Sequence, residues 1–430
     1  MSSAFTCSAI FVLVCYLLWH SVPSPPHPRL FRKAVDSIVD RAVSDLNFSS
    51  ARSSGLSSCI ARATWEHPSR TSRSPTLILK KGCLEVPVVR SLCDKLIGKR
   101  VLFVGPDTTY HLHLFWLKTL ESYEGRSHRC LGRDYCTFHH ICRPPFSGHE
   151  EYSEELSGRK KKLPGLKVLQ ATSSSILQYS LSTNLYASKN QSDPAYNLLQ
   201  IDSTTGIRVS NTYWLKRTHK ADVIVLHRGP VEAPASTYFG GVSGDWTFAE
   251  QLCKEKNYLE PYACMVSLEY LIVNAALHAT FTSFLPSLLG SLRTISEDHA
   301  IRSATVFWHG SWYMQPYCAK AALPKDITLL RDVWSNMDKE SFVDPWSLYY
   351  NVQVYIHDHL LRQILPHFNI THIPMAFPAY GGPPRFRFAR EEPEFTETSA
   401  KDCLLNPWLT FGKDVLERIL FSALSEVLSG

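Results

Sequence analysis

Short apolar runs of strand length, separated by stretches with helical period, constrain this chain more than any other feature. RVLFVG (100–105), LKVLQAT (166–172), ADVIVLHRG (221–229), ATVFWHG (304–310) and THIPMAF (371–377) read as strands. HLHLFWLKTLESY (111–123), the region 258–292, LYYNVQVYIHDHLLRQIL (348–365) and VLERILFSALSEVL (415–428) read as helices. Strands that are apolar throughout, rather than alternating, are buried on both faces, and strands separated by helices run parallel. The pattern predicts an α/β fold with a mainly parallel sheet covered on both sides. In such sheets ligands bind beyond the carboxyl ends of the strands. The positions of interest are therefore Gly105 onward, residues 227–229, and His309 onward.

The N-terminal part reads differently. Residues 4–19, AFTCSAIFVLVCYLLW, carry no charge, and a Pro/Ser run and the basic residues Arg29, Arg32 and Lys33 follow. The run is short for a spanning helix, which needs about 20 residues, and matches the core of a signal sequence. Residues 1–22 are expected to be a signal anchor or a signal peptide. The bulk of the chain would then lie in the secretory lumen, on a single-pass membrane protein of the Golgi or secretory pathway. Residues 23–76 read as a Ser/Pro/Arg-rich stem with one short helical pattern, too polar to bury much surface. The packed domain is expected over 77–430, interrupted by a Cys/His/charge-rich insertion at 125–165.

Cysteine usage agrees with an oxidising compartment. Of twelve cysteines, Cys7 and Cys15 sit in the apolar run, and the remaining ten are compatible with disulfides. Sequons at Asn47, Asn190 and Asn369 would be usable there. The formal net charge is +6, without a basic stripe interleaved with aromatics, so nucleic-acid binding is not indicated. A polyanionic glycan or a membrane surface fits that charge, as does an ordinary mildly basic surface.

The metal and nucleophile signals in the chain have plainer readings beside them. Cys130, Cys136 and Cys142 are six apart with histidines nearby, but they lack the CxxC pairs of common zinc modules, and disulfides account for them better. No metal and no cofactor is expected. His357 and His359 are two apart on a helix and point to different faces, which suits a helix surface rather than a metal site. His309 ends a strand and either faces a site or is a satisfied structural histidine.

The stretch FVGPDTTYHLH (103–113) places a strand, a tight turn and a helix in succession. It resembles the first block of the GDSL/SGNH esterases. The resemblance is strongest to the PC-esterase family, the branch with the plant trichome-birefringence-like and fungal capsule O-acetylation proteins. That block reads roughly FVGDS followed by two threonines. Laid on it without gaps, Gly105 meets the family glycine, Pro106 its aspartate and Asp107 its nucleophilic serine, while Thr108 and Thr109 match the threonines. KADVIVLHRGP (220–230) resembles the second block, in which a glycine, here Gly229, lends an oxyanion-hole amide. ATVFWHGSWYMQPYC stands in place of the third strand. KDCLLNPWLTFGKDVLERILFSAL (401–424) resembles the C-terminal block, where Asp402 matches the orienting aspartate and Leu405 falls where the base is expected.

The resemblance implies an SGNH-like three-layer fold and acyl transfer by serine, histidine and aspartate with backbone amides around the oxyanion. The serine and histidine positions are replaced. A one-residue gap would put Thr108 on the serine, with His111 one helical turn away as its base. The implied function is a glycan O-acyltransferase or esterase-like protein of cell-wall or capsule assembly, either divergent or inactive. The alternative is a non-catalytic glycan-binding or scaffold protein using the same cleft. A glycosyltransferase would need a D-x-D-like pair, which the chain lacks.

Overall fold

The computed structural model describes residues 28–48, 64–66, 76–78, 89–121, 139–142, 165–187, 200–201, 208–209, 213–237, 239, 244–259, 268–301, 303–312, 345–375, 421 and 423–424. The apolar run 4–19, Asn190, Asp402, Leu405, Cys130 and Cys136 lie outside the described residues.

A six-stranded sheet organises the domain. Its strands are β3 (Arg100–Gly105), β4 (His139–Ile141), β5 (Ser175–Leu181), β8 (Val223–Leu226), β9 (Thr305–His309) and β10 (Thr371–Ile373), in the order β10-β9-β8-β3-β5-β4. Five of them are parallel, and β4 joins the edge antiparallel to β5. Two small antiparallel ladders, β1 (Thr64–Glu66) with β2 (Thr76–Ile78) and β6 (Gln200–Ile201) with β7 (Arg208–Val209), stand apart from the sheet. Numbered along the chain, the parallel strands follow the doubly wound order 2-1-3-4-5. That order reverses direction between β3 and β8, which opens a crevice at their carboxyl ends.

Alternate residues of each strand feed two separate cores, which explains why the strands are apolar throughout. Val101, Phe103, Val223, Val225 and Phe307 pack with α2 (Val89–Leu96), α3 (Asp107–Glu121) and residues 421, 423 and 424. Leu102, Val104, Ile224, Leu226, Val306 and Trp308 pack against the other layer. That layer holds α1 (Pro28–Ser44), α5 (Tyr213–Thr218), α6 (Thr247–Glu255), α7 (Leu268–Ala279), α8 (Leu285–Glu297) and α9 (Pro345–Ile364). A disulfide between Cys93 of α2 and Cys142, just beyond β4, staples the first layer to the sheet edge.

Two expectations are corrected. Residues 28–44, assigned to a polar stem, form α1 and belong to the core. Val35 and Val39 are buried, Asp36 accepts a hydrogen bond from Tyr355, and Asp40 pairs with His359 at 2.8 Å. The stem reading failed because the helix is mostly polar, and only its one apolar edge meets α9. LKVLQAT was expected to be a strand, but residues Leu166–Ala171 form α4, with Leu166 and Val168 each 51% exposed and Leu169 buried. One buried position per turn is the signature of a short surface helix, not of a strand. The strand is the following β5, whose buried Ser175, Gln178 and Ser180 concealed it among polar residues. Within the expected helical region 258–292 the described helix begins at Leu268 and runs on to Glu297, with a π-helical turn at Thr280–Phe284 and Pro286 in the first turn of α8. Together, Leu268–Glu297 is the one helical stretch among the described residues long and apolar enough to cross a membrane, and 61% of its apolar window is buried inside the protein.

Asn47 and Asn369 are both exposed and take up left-handed backbone at φ 51° and φ 55°, on turns that follow α1 and α9. A glycan at either position would face solvent.

Candidate functional site

The site is built at the carboxyl ends of the parallel strands. β3 ends at Gly105, and α3 starts two residues later, its first turn closed by the Thr109 amide donating to the Pro106 carbonyl at 2.9 Å. This tight reversal needs a glycine for space rather than for a special φ. A Cβ on Gly105 would lie 2.1 Å from Thr109 Oγ1 and 3.0 Å from the His227 carbonyl oxygen. Gly229, beyond β8, lies beside the same turn: a Cβ there would be 3.8 Å from Pro106 Cγ and 3.9 Å from His227 Nε2. The two glycines of the expected site therefore meet at the switch point between β3 and β8.

Thr109, not Thr108, makes the decisive contact. Its Oγ1 lies 3.1 Å from His309 Nε2, joining the start of α3 to the end of β9. His309 Nδ1 lies 2.9 Å from the Gly310 carbonyl oxygen. A carbonyl only accepts, so Nδ1 carries the proton. In the neutral ring Nε2 is then bare, and the Thr109 hydroxyl donates to it. Burial holds the ring neutral by pushing its pKa down to about 3. The pair thus has the form of a hydroxyl with an oriented base, except that a backbone carbonyl replaces the carboxylate as orienter. Both side chains are wholly buried.

His227 stacks on His309 with ring centroids 4.0 Å apart. Its Nδ1 donates to the His309 carbonyl at 3.0 Å, and its Nε2 faces Ser311 Oγ at 3.5 Å. Burial first, and the neighbouring His309 second, hold it neutral. Beyond Gly310, His372 Nε2 and Asp358 Oδ1 are 3.7 Å apart, and Asp358 Oδ2 pairs with Arg362 at 2.7 Å. Burial raises the Asp358 pKa and lowers that of His372. The HDH stretch is therefore not a helix surface. His357 and Asp358 are buried, and only His359 faces outward, toward Asp40.

The expected pairing of Thr108 with His111 is not formed. Thr108 Oγ1 is buried and accepts no hydrogen bond, and the His111 ring instead lies near Tyr110, with centroids 5.9 Å apart. Asp107 opens α3, which places its backbone in the crevice. Among the described residues no group of three His, Cys, Asp or Glu side chains is arranged to hold a metal. Cys142 is committed to the disulfide with Cys93.

Sequence reasoning missed Thr109 as the partnered threonine, and with it His227, His372 and Asp358. A usable signal was present: His227 follows β8, His309 closes β9, and His372 lies in β10. Histidines at the ends of three consecutive parallel strands must converge on one edge of the sheet. No family model and no curated protein matches the chain.

Proposed function

We propose that this chain is an SGNH-type protein of the secretory pathway that acts on acyl esters of a glycan, with Thr109 as nucleophile and His309 as base. The observation that carries the reading is the 3.1 Å contact between the Thr109 hydroxyl and the bare Nε2 of a neutral, oriented imidazole. The strand order and the meeting of Gly105 with Gly229 at the switch point are compatible with that fold type. In the proposed reaction Thr109 Oγ1 adds to the ester carbonyl as His309 Nε2 takes its proton. The tetrahedral oxyanion is held by backbone amides, the role that the resemblance gives to Gly229. Collapse expels the sugar oxygen, which takes the proton back from His309. Water or a second sugar hydroxyl then releases the acyl group from Thr109. The uncharged run 4–19 would hold the domain at a membrane of that pathway.

The complete burial of Thr109 and His309 favours a second reading, a non-catalytic glycan-binding or scaffold protein in which the pair ties α3 to β9. Hydrolysis of an acetylated xylo- or manno-oligosaccharide by the purified full chain separates the two. The first reading expects turnover that Thr109→Ala and His309→Gln abolish alike, because nucleophile and base act as a unit. Turnover at background in a folded protein, or turnover indifferent to both changes, rejects it.

A further inference from the structure

Arg228 follows β8 between His227 and Gly229, its side chain turns to Phe284, and it is a buried cation without a counter-charge among the described residues. The residue is only 6% exposed. Its guanidinium makes one long hydrogen bond, from Nη1 to the Phe284 carbonyl at 3.4 Å, and sits 5.3 Å from the Phe284 ring centroid. No described carboxylate lies within ion-pair distance of it. Burial with nothing to offset it pushes the guanidinium pKa down to about 10. A buried charge that is neither paired nor fully hydrogen-bonded is expensive, and an anion that pairs it relieves that cost.

A second feature points to the same place. Phe284 ends the π-helical turn between α7 and α8, an irregularity that recurs at functional sites. His357 stacks on Phe284 with centroids 3.4 Å apart. The Thr280 hydroxyl donates to the Ala276 carbonyl at 2.9 Å, so its contact with His357 Nε2 at 3.2 Å requires the proton on Nε2. His357 Nδ1 is then a bare acceptor, and it is buried without a hydrogen-bond partner. The turn therefore gathers a guanidinium with a single long hydrogen bond and no described carboxylate partner, and an unpaired acceptor.

We propose that Arg228 binds an oxyanion carried by the glycan, with His357 Nδ1 accepting from a neighbouring sugar hydroxyl. The planar fork suits two oxygens of a carboxylate, sulfate or phosphate. The anion is carried as the carboxylate of an acidic sugar or as a sulfate ester. The proposal rests on the glycan reading above but not on catalysis, so it is tested by binding. It narrows the substrate to an anionic glycan, in keeping with the net charge of +6.

Calorimetric titration of the full chain, and of its Thr109→Ala variant, with glucuronate, glucose 6-sulfate and glucose tests the site without turnover. At least one charged sugar binds and glucose does not; which one binds identifies the source of the anion. Arg228→Lys keeps the charge but loses the fork and weakens binding about tenfold, and Arg228→Met abolishes it, as removal of a charged hydrogen bond predicts. Phenylglyoxal modification of the unmodified protein, mapped by mass, gives a readout that needs no variant to fold: the bound sugar protects Arg228. Binding of neither charged sugar, equal binding of glucose, or absence of protection at Arg228 overturns the proposal. If turnover is absent while the anion still binds, the catalytic reading fails and this one stands.

Discussion

Gly105→Ala tests the geometry of the crevice most directly. The added methyl would lie 2.1 Å from Thr109 Oγ1, 2.8 Å from Thr109 Cβ and 3.0 Å from the His227 carbonyl. The strand has no freedom to retreat. The Gly105 carbonyl accepts from the Ser182 amide at 3.0 Å and from the Tyr179 hydroxyl at 2.9 Å, and the His227 amide is bonded to Val104 at 2.9 Å. The Thr109 side chain must therefore give way, and it cannot do so without leaving His309. Overpacking costs about 1–3 kcal/mol, and a buried imidazole nitrogen left without its donor costs about 1–3 kcal/mol more. At roughly 2–4 °C per kcal/mol the melting temperature should fall by the order of 10 °C. Urea unfolding followed by tryptophan fluorescence reads the loss. In a Thr109→Ala background the closest clash and the hydrogen bond are already gone. The same glycine change should then cost less, with a coupling of about 0.5–3 kcal/mol. A Gly105→Ala protein within about 0.5 kcal/mol of the unmodified one would refute the reasoning, as would an identical cost in both backgrounds.

Acid should loosen the fold. His113, His227, His309, His357 and His372 are buried with pKa values pushed below the ordinary 6.5, to about 3 for His113 and His309. Their folded values lie below the unfolded one, so stability is present above about pH 6.5 and is lost as the pH falls, by about 2 kcal/mol each for His113 and His309 between pH 7 and pH 5, with His227, His357 and His372 acting in the same sense. Asp358, raised by burial, works in the opposite sense but is a single group. A urea midpoint that does not move between pH 7 and pH 5 would contradict this. Replacing Cys93 by serine opens the loop to Cys142, 49 residues away, and should remove about 4 kcal/mol; scanning calorimetry under non-reducing conditions measures it. Val35→Ala in α1 should cost roughly 1–3 kcal/mol in the same assay, because the side chain is wholly buried; a change near zero would return this helix to the stem.

Local chemistry by itself determined the class of this fold. Strands apolar on both sides, such as RVLFVG and DVIVL, have no stable home except a sheet covered on both faces, and helices between them force parallel pairing. The switch-point position of Gly105 and Gly229 was legible for the same reason, since both glycines follow such strands. What the sequence concealed was decided by distance in the chain. The helix α1 looks like a polar stem until α9 supplies the surface for Val35 and Val39. β5 looks polar until Lys99 supplies a carbonyl for the Ser175 hydroxyl at 2.8 Å. The nearest histidine to the threonines in sequence is His111, one helical turn on, but Thr108 makes no hydrogen bond to it. The histidine that reaches a threonine is His309, 200 residues later. It does so because five parallel strands bring their ends to one edge, and no local pattern records which ends become neighbours.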